Sequence, residues 1–258
     1  MKIRTQIIGV LFLLTIHLNI KAQQSFYYEV KTYFFKSTEQ EQALDSYLQS
    51  AFIPALHKIG MGPVGVYKPI ANDTAVVKKI IVINSHAKLK SLSAIEEKLL
   101  KDPVYKEAAK DYLNTMYNNP FYIRIEKTWL KAFKMAPKPI LPKLNKPLSD
   151  HVYELRSYES PSESYYRNKV HMFNEGGEVT LFKNLNFNAV FYGDVIAGAH
   201  MPNLMYMTCF ENMEDRNEHW KNFSASPVWK KLSSDPFYKN NVSRNETILM
   251  RAAGYSEY

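Results

Sequence analysis

The sequence predicts an α+β chain made of two tandem βαββαβ modules. Three observations predict it: an internal repeat, strand and helix patterns in the same order in each copy, and a proline-rich stretch between the copies. Self-similarity at a fixed spacing marks a duplicated structural unit. Tyr28-Glu29-Val30-Lys31-Thr32-Tyr33 recurs as Tyr153-Glu154-Leu155-Arg156-Ser157-Tyr158, an offset of 125. Val66-Tyr67 recurs as Phe191-Tyr192 at the same offset. Asp102-Pro103-Val104-Tyr105-Lys106 recurs as Ser226-Pro227-Val228-Trp229-Lys230 at 124, and Arg124 and Glu126 recur as Arg244 and Glu246 at 120. The matches keep their order while the offset drifts slowly, as two diverged copies would.

Each copy opens with a strand, at residues 26–35 and 152–159. A helix follows at 38–59 and 162–185. Two strands come next, at 64–70 with 76–84 and at 187–192 with 204–210, rich in β-branched and aromatic residues. A second helical stretch runs over 88–113 and 213–232. Pro103 and Pro227 interrupt it at the same place, each as a new first turn, where proline is tolerated. A final strand closes each copy, at 121–133 and 242–250. This is the split-βαβ, ferredoxin-like order. Its helices cover one sheet face, so a second copy is needed to cover the other. The link Ala136-Pro137-Lys138-Pro139-Ile140-Leu141-Pro142 is semi-rigid and extended. The two sheets are therefore expected to face each other within one chain.

Residues 1–22 stand apart. Lys2 and Arg4 precede a nearly apolar run from 7 to 20, and Ala22 precedes a polar stretch. This is the pattern of a secretory signal peptide, with cleavage expected after Ala22, and it is short for a membrane span of ~20 residues. No stable membrane span is expected after cleavage. The expected organisation is a signal over 1–22, a first module over 23–135, a linker over 136–150 and a second module over 151–258. Localisation is expected to be periplasmic or secreted.

The 258-residue chain is 46% hydrophobic, which suffices for packed cores and excludes a disordered polymer. Loss of Lys2, Arg4 and Lys21, three cations and no acid, takes the net charge from +8 to +5. No basic block is interleaved with aromatics, so nucleic acid is not an expected partner. The single cysteine, Cys209, excludes an internal disulfide, and its apolar neighbours suggest a buried strand thiol.

At this point the second copy resembles the NIPSNAP family of the dimeric α/β barrel superfamily. Asn203-Leu204-Met205-Tyr206, then Glu211-Asn212-Met213-Glu214-Asp215-Arg216 with Trp220, resembles the family's strand and its "SLEDR…W" helix start. Phe223 to Trp229 resembles its "F…DPxW" segment, with Ser226 in place of Asp, and Glu246 to Arg251 its "ES.LL.P" ending, with Ala252 in place of Pro. The resemblance covers much of the first copy too, which lacks the Trp of the "DR…W" stretch. It implies two ferredoxin-like modules forming an intrachain dimeric α/β barrel, and no established catalytic residues. Related barrels include cofactor-independent monooxygenases and haem-handling enzymes.

Candidate ligand-binding residues come from strand alternation. Glu29, Lys31 and Tyr33 share one face of the first opening strand, and Glu154, Arg156 and Tyr158 share the equivalent face in the second copy. Both sets are expected to point between the sheets. They would serve there either as an acid/base pair with an anion clamp, or as a cross-strand ion-pair ladder with Arg124, Glu126, Arg244 and Glu246, the favoured reading. His171 and Glu175, four apart on a helix, share a face. Gly176-Gly177 marks a close approach or a helix break. Tyr192, Asp194 and His200 flank or lie in the loop 193–202, a candidate pocket rim.

Gly60 to Gly65 fits GxGxxG but follows a helix and precedes a strand, the reverse of a dinucleotide site. Ser85-His86-Ala87-Lys88 fits SxxK without its companion motifs. Asn72-Asp73-Thr74 fits a glycosylation sequon, with a short polar turn the favoured reading. No cofactor and no metal site are expected. Three functions stay open: a small-molecule binder holding its ligand in the barrel, a cofactor-independent enzyme of the monooxygenase or isomerase type, and a non-catalytic interaction module. A homodimer is compatible with each.

Overall fold

The computed structural model describes residues 24–258; the expected export signal lies outside them. In chain order the elements are β1 (Tyr27–Phe35), α1 (Thr38–Tyr47), α2 (Ile53–Lys58), β2 (Gly65–Pro69), β3 (Lys78–His86), α3 (Leu89–Ser93), α4 (Ile95–Lys101), α5 (Pro103–Ala108), α6 (Lys110–Leu113), β4 (Arg124–Ala132), β5 (Val152–Glu159), α7 (Glu163–Asn174), α8 (Glu178–Asn184), β6 (Phe191–Ala197), β7 (Asn203–Phe210), α9 (Met213–Ala225), α10 (Pro227–Ser234) and β8 (Arg244–Ala252). A π-helical turn, Leu48–Phe52, joins α1 to α2.

The local signals act as their chemistry requires. Ser37 caps α1 in a capping box with Gln40, Ser162 caps α7, and Asn212 accepts from the Asp215 N–H at the start of α9. Pro103 and Pro227 open α5 and α10. Gly177, at φ 92°, starts α8 after the break, and a Cβ on Gly176 would stand 2.6 Å from the Met172 carbonyl. Asn72 bonds both the N–H and the C=O of Lys79 from its side chain, which closes the β2–β3 connection.

Among the described residues, eight strands form one closed antiparallel barrel in the order β1-β3-β2-β8-β5-β7-β6-β4. Each module contributes four adjacent strands in the ferredoxin-like order. The modules meet edge to edge, through β2 with β8 and β4 with β6. Closure leaves no unpaired strand edge. Pairing with β4 also explains why β6 runs on to Ala197 rather than ending at Tyr192. Trp129 to Ala132 supply it with partners from the other module.

The helices pack on the outside. Leu44, Leu48, Phe52, Leu56, Leu92, Ile95 and Leu99 form the outer core of the first module. Phe173, Phe182, Phe187, Phe210 and Phe223 form that of the second. Each such side chain contributes about 1.5–3 kcal/mol on burial.

Inside the barrel, one end is filled. Tyr28 stacks on Phe191 at 4.8 Å and Tyr67 leans on Tyr153 at 4.7 Å, with Met207, Cys209 and Met250 beside them. The Tyr67 ring lies over Gly65, where a Cβ would stand 2.5 Å from its hydroxyl. Residues 253–258 run along β2 through Ala253 N–H to Val66 O and Glu257 N–H to Val64 O. They bring Tyr258 beneath this end, where the Tyr67 hydroxyl donates to its backbone oxygen at 3.0 Å. Burial pushes the Cys209 thiol up to about 12, so it is an inert core group rather than a nucleophile.

Candidate functional site

The opposite end of the barrel is open. The inward residues of β1 are Tyr28, Val30, Thr32 and Phe34, and those of β5 are Tyr153, Leu155 and Ser157. The strand registers stack them into layers. Val30 lies across from Ile83 and Thr128, and Leu155 from Met207 and Ile248. One layer up, Thr32 lies across from Ile81 and Glu126, and Ser157 from Met205 and Glu246. At the rim, Phe34 meets Lys79 and Arg124, and Glu159 meets Asn203 and Arg244. The two halves repeat each other. The result is a cavity of about 290 Å³ with an apolar floor of Val30, Leu155, Ile81 and Ile248 and a polar rim.

The rim charges are partly matched. Lys79 stands 3.8 Å from Glu246, and Arg244 stands 3.3 Å from Glu159. His200 approaches the same Glu159 oxygen at 3.5 Å. Asn203, 3% exposed, donates to the Ser157 hydroxyl at 2.9 Å. Glu126 faces the cavity without an ion pair or hydrogen bond among the described residues. His200 reaches the mouth on the β6–β7 loop, which sits close on β4: a Cβ on Gly198, at φ 148°, would stand 2.9 Å from the Thr128 hydroxyl.

The polar faces of β1 and β5 are not in the cavity, which corrects the expectation for six candidates. Glu29, Lys31, Tyr33, Glu154, Arg156 and Tyr158 point outward, under the helices. Glu154 is fully buried there. It accepts from Arg156 Nε at 2.6 Å, Arg216 Nε at 2.8 Å, Arg216 Nη2 at 3.1 Å and Trp220 Nε1 at 2.8 Å. Burial alone would raise its carboxyl. The Arg216 hydrogen bonds, the Arg156 charge and the Trp220 N–H outweigh burial and hold it below the usual carboxylate range. The Arg156 guanidinium stacks on the Trp220 ring at 3.9 Å and donates to the Tyr158 hydroxyl at 3.1 Å. The "DR…W" segment of α9 is thus a clamp on a buried acid.

The first module solves the same problem differently. Glu29 accepts from Trp129 Nε1 at 2.8 Å, from β4 rather than a helix. Lys31 lies over the Tyr33 and Phe52 rings at 4.8 and 5.1 Å, and burial lowers its ammonium from the ordinary value. The expected ion-pair ladder does not form, because Arg124, Glu126, Arg244 and Glu246 point into the barrel, on the other face.

The remaining candidates scatter. His171 bonds the Tyr238 hydroxyl at 2.9 Å, whereas Glu175 stands 3.7 Å from Lys134, so the two share no ligand. Tyr192 is buried beneath α8 and stacks with Tyr206 at 5.6 Å. Asp194 points outward and accepts from the Tyr166 hydroxyl at 2.8 Å, its carboxyl raised by burial. Of the eleven, His200 alone lines the mouth. The mouth residues Thr32, Ser157, Glu126 and Glu246 carried a signal that could have found them: Thr32 repeats as Ser157 and Glu126 as Glu246 between the copies, the first pair on the less polar face of its strand.

Among the described residues, no helix is long and apolar enough to cross a membrane, and no three His, Cys, Asp or Glu side chains gather as a metal site. Residues 153–257 match the NIPSNAP family model. No curated protein matches the chain in sequence. Among solved structures, a candidate monooxygenase from Lactobacillus acidophilus aligns with a TM-score of 0.59 at 11% identity, covering 88% of this chain and 94% of that one. A candidate monooxygenase from Fusobacterium nucleatum aligns at 0.58 and 8% identity, covering 90% and 94%. An anthrone oxidase-like protein aligns at 0.51 and 6% identity, covering 89% and 92%. At such identities the likeness establishes the fold, which each of these proteins shares over nearly its whole length. The second half of the chain is thus similar to the NIPSNAP family over residues 153–257, and it closes with the first half, in one polypeptide, into a barrel with the dimeric α/β fold.

Proposed function

We propose that the chain binds a small molecule in the open mouth of its barrel. The observation that carries this reading is the contrast between the two ends of the barrel. One is packed with Tyr28, Tyr67, Tyr153 and Phe191, while the other holds a cavity with an apolar floor and convergent polar groups. That composition is typical of ligand sites, and its about 290 Å³ falls near the small end of their ~300–1,000 Å³ range. The ligand would therefore be compact, with an apolar body on Val30, Leu155, Ile81 and Ile248 and polar edges toward Glu126, Lys79 and Arg244. Native mass spectrometry of the chain purified from its own host is expected to show a non-covalent adduct. Thr32→Trp, which fills the mouth from a strand position suited to aromatics, is expected to remove it. A bare mass, or an adduct that survives the substitution, would count against the mouth as the site.

A catalytic reading is the alternative. Its support is that the structural neighbours include candidate monooxygenases and an anthrone oxidase-like protein. Glu126, Glu246 and His200 are the groups placed to take a proton from a bound substrate without a cofactor. Dioxygen uptake on adding the ligand identified by mass spectrometry would favour it, and recovery of that ligand unchanged would leave binding alone.

The chain would act after export, in the periplasm or outside the cell. The basic start, apolar run and Ala22 support this. The protein recovered from its host is expected to begin at Gln23. Recovery of a chain that still carries Met1 would remove this part of the proposal.

A further inference from the structure

We propose a second binding site, separate from the barrel mouth, for a small anionic amphiphile: an apolar chain or ring ending in a carboxylate. It is the groove between the proline-rich link and α8. Its floor is Val179, Phe182, Val190, Phe191 and Tyr192, and its volume is about 510 Å³, well within the ~300–1,000 Å³ range of small-ligand pockets.

The outer wall of the groove is Met135 to Ile140, and it is pinned in three places. Met135 N–H donates to Asn174 Oδ1 at 3.0 Å, Phe26 N–H donates to Pro137 O at 2.8 Å, and Ile140 N–H donates to Val190 O at 2.9 Å. Pro137 and Pro139 stiffen the span between the outer anchors. The wall is thereby fixed in place above a well-packed floor, and the apolar surface open to a ligand comes mainly from Met135 and Ile140, 52% and 61% exposed. Such preorganisation lowers the cost of binding.

The charge around the groove has one sign. Lys138 and Lys183 stand at its edge with Asn186 and Asn188, and among the described residues no acid lines it. Neither lysine has an ion-pair partner among the described residues. An apolar floor with two unpaired ammonium groups and neutral amides above it complements a hydrophobic body with an anionic head. A cation would be repelled, and a neutral alcohol would forgo the charged contacts.

The probes are decanoate, decanol and decylammonium, titrated calorimetrically into the full chain. Decanoate is expected to bind at one site, about tenfold or more tightly than decanol, with decylammonium weakest. The double variant Lys138→Glu/Lys183→Glu changes two exposed side chains and is expected to cost decanoate at least that preference while leaving decanol unchanged. Ala189→Trp fills the groove and is expected to remove all three. No decanoate binding, equal binding of decanol, or a double variant that binds as the parent does would overturn the proposal. Decanoate binding that is lost in Thr32→Trp belongs to the barrel mouth and would overturn it too.

Discussion

Glu154→Gln is expected to destabilise the folded chain by about 3 kcal/mol at neutral pH. Removing one member of a buried ion pair costs about 3–5 kcal/mol, because the partner charges stay buried and uncompensated. Here Arg156 and Arg216 each keep about a fifth of their side chains exposed, at 19%, so the lower end applies. The variant keeps the shape of the side chain. It sets an amide N–H₂ among three donors and removes the charge that two guanidinium groups share.

The effect should depend on pH in one direction. The folded state holds the Glu154 carboxyl below its unfolded value of about 4.3. Its stabilisation is therefore complete above that value and is lost as the pH falls through the folded value. Urea unfolding at pH 7 and in acid checks this: the gap between parent and variant should narrow on acidification, with the slope m unchanged. Equal stability at pH 7 would show that the clamp contributes nothing net.

The duplicated architecture was legible because Tyr28 to Tyr33 and Tyr153 to Tyr158 keep their pattern. Helix restarts at Pro103 and Pro227, and the break at Gly176-Gly177, follow from local chemistry that one stretch of sequence contains. Barrel closure was not legible in that way. The pairings of Tyr67 with Ala252 and of Leu130 with Val195 join residues from different modules, and no local period encodes them.

The candidate site failed for a related reason. Strand alternation correctly separated Glu154, Arg156 and Tyr158 from Tyr153, Leu155 and Ser157. It could not say which set faces the barrel, because both faces of β5 are covered, one by helices and one by the opposite strands. The usual guide, polar residues toward a cavity, pointed the wrong way. What decides is the supply of donors: Arg216 and Trp220, 62 and 66 residues along the chain, reach Glu154, and Trp129, 100 residues along, reaches Glu29. Those donors satisfy the acids under the helices, and the hydroxyls of Thr32 and Ser157 are left to line the mouth. Pairing Trp220 with the buried acid of the same module was the available clue, since a buried indole N–H needs an acceptor.

Lys169→Met is expected to be at least as damaging as the loss of Glu154, and Lys169→Met combined with Glu178→Leu much less so. Lys169 Nζ stands 2.9 Å from Glu178 Oε2, and the two side chains are 5% and 3% exposed. They are more completely withdrawn from water than the Glu154 cluster's arginines, so the single Met variant should reach about 3–5 kcal/mol by leaving a carboxylate alone in the core. Glu178→Leu alone should cost less. The ammonium it strands lies 4.7 Å from the Phe173 ring, 5.6 Å from Tyr158 and 6.0 Å from Trp229. Attraction to those rings is worth up to about 2 kcal/mol when desolvated. With both charges gone, the site becomes an apolar pocket of similar volume among aromatics, and such replacements of buried pairs are often neutral or stabilising. Chemical denaturation of the four proteins completes a double-mutant cycle, and a coupling of about 3 kcal/mol is expected. Additive losses would mean that the two groups act separately, and a Glu178→Leu variant worse than Lys169→Met would mean that the aromatic cage does not support the ammonium.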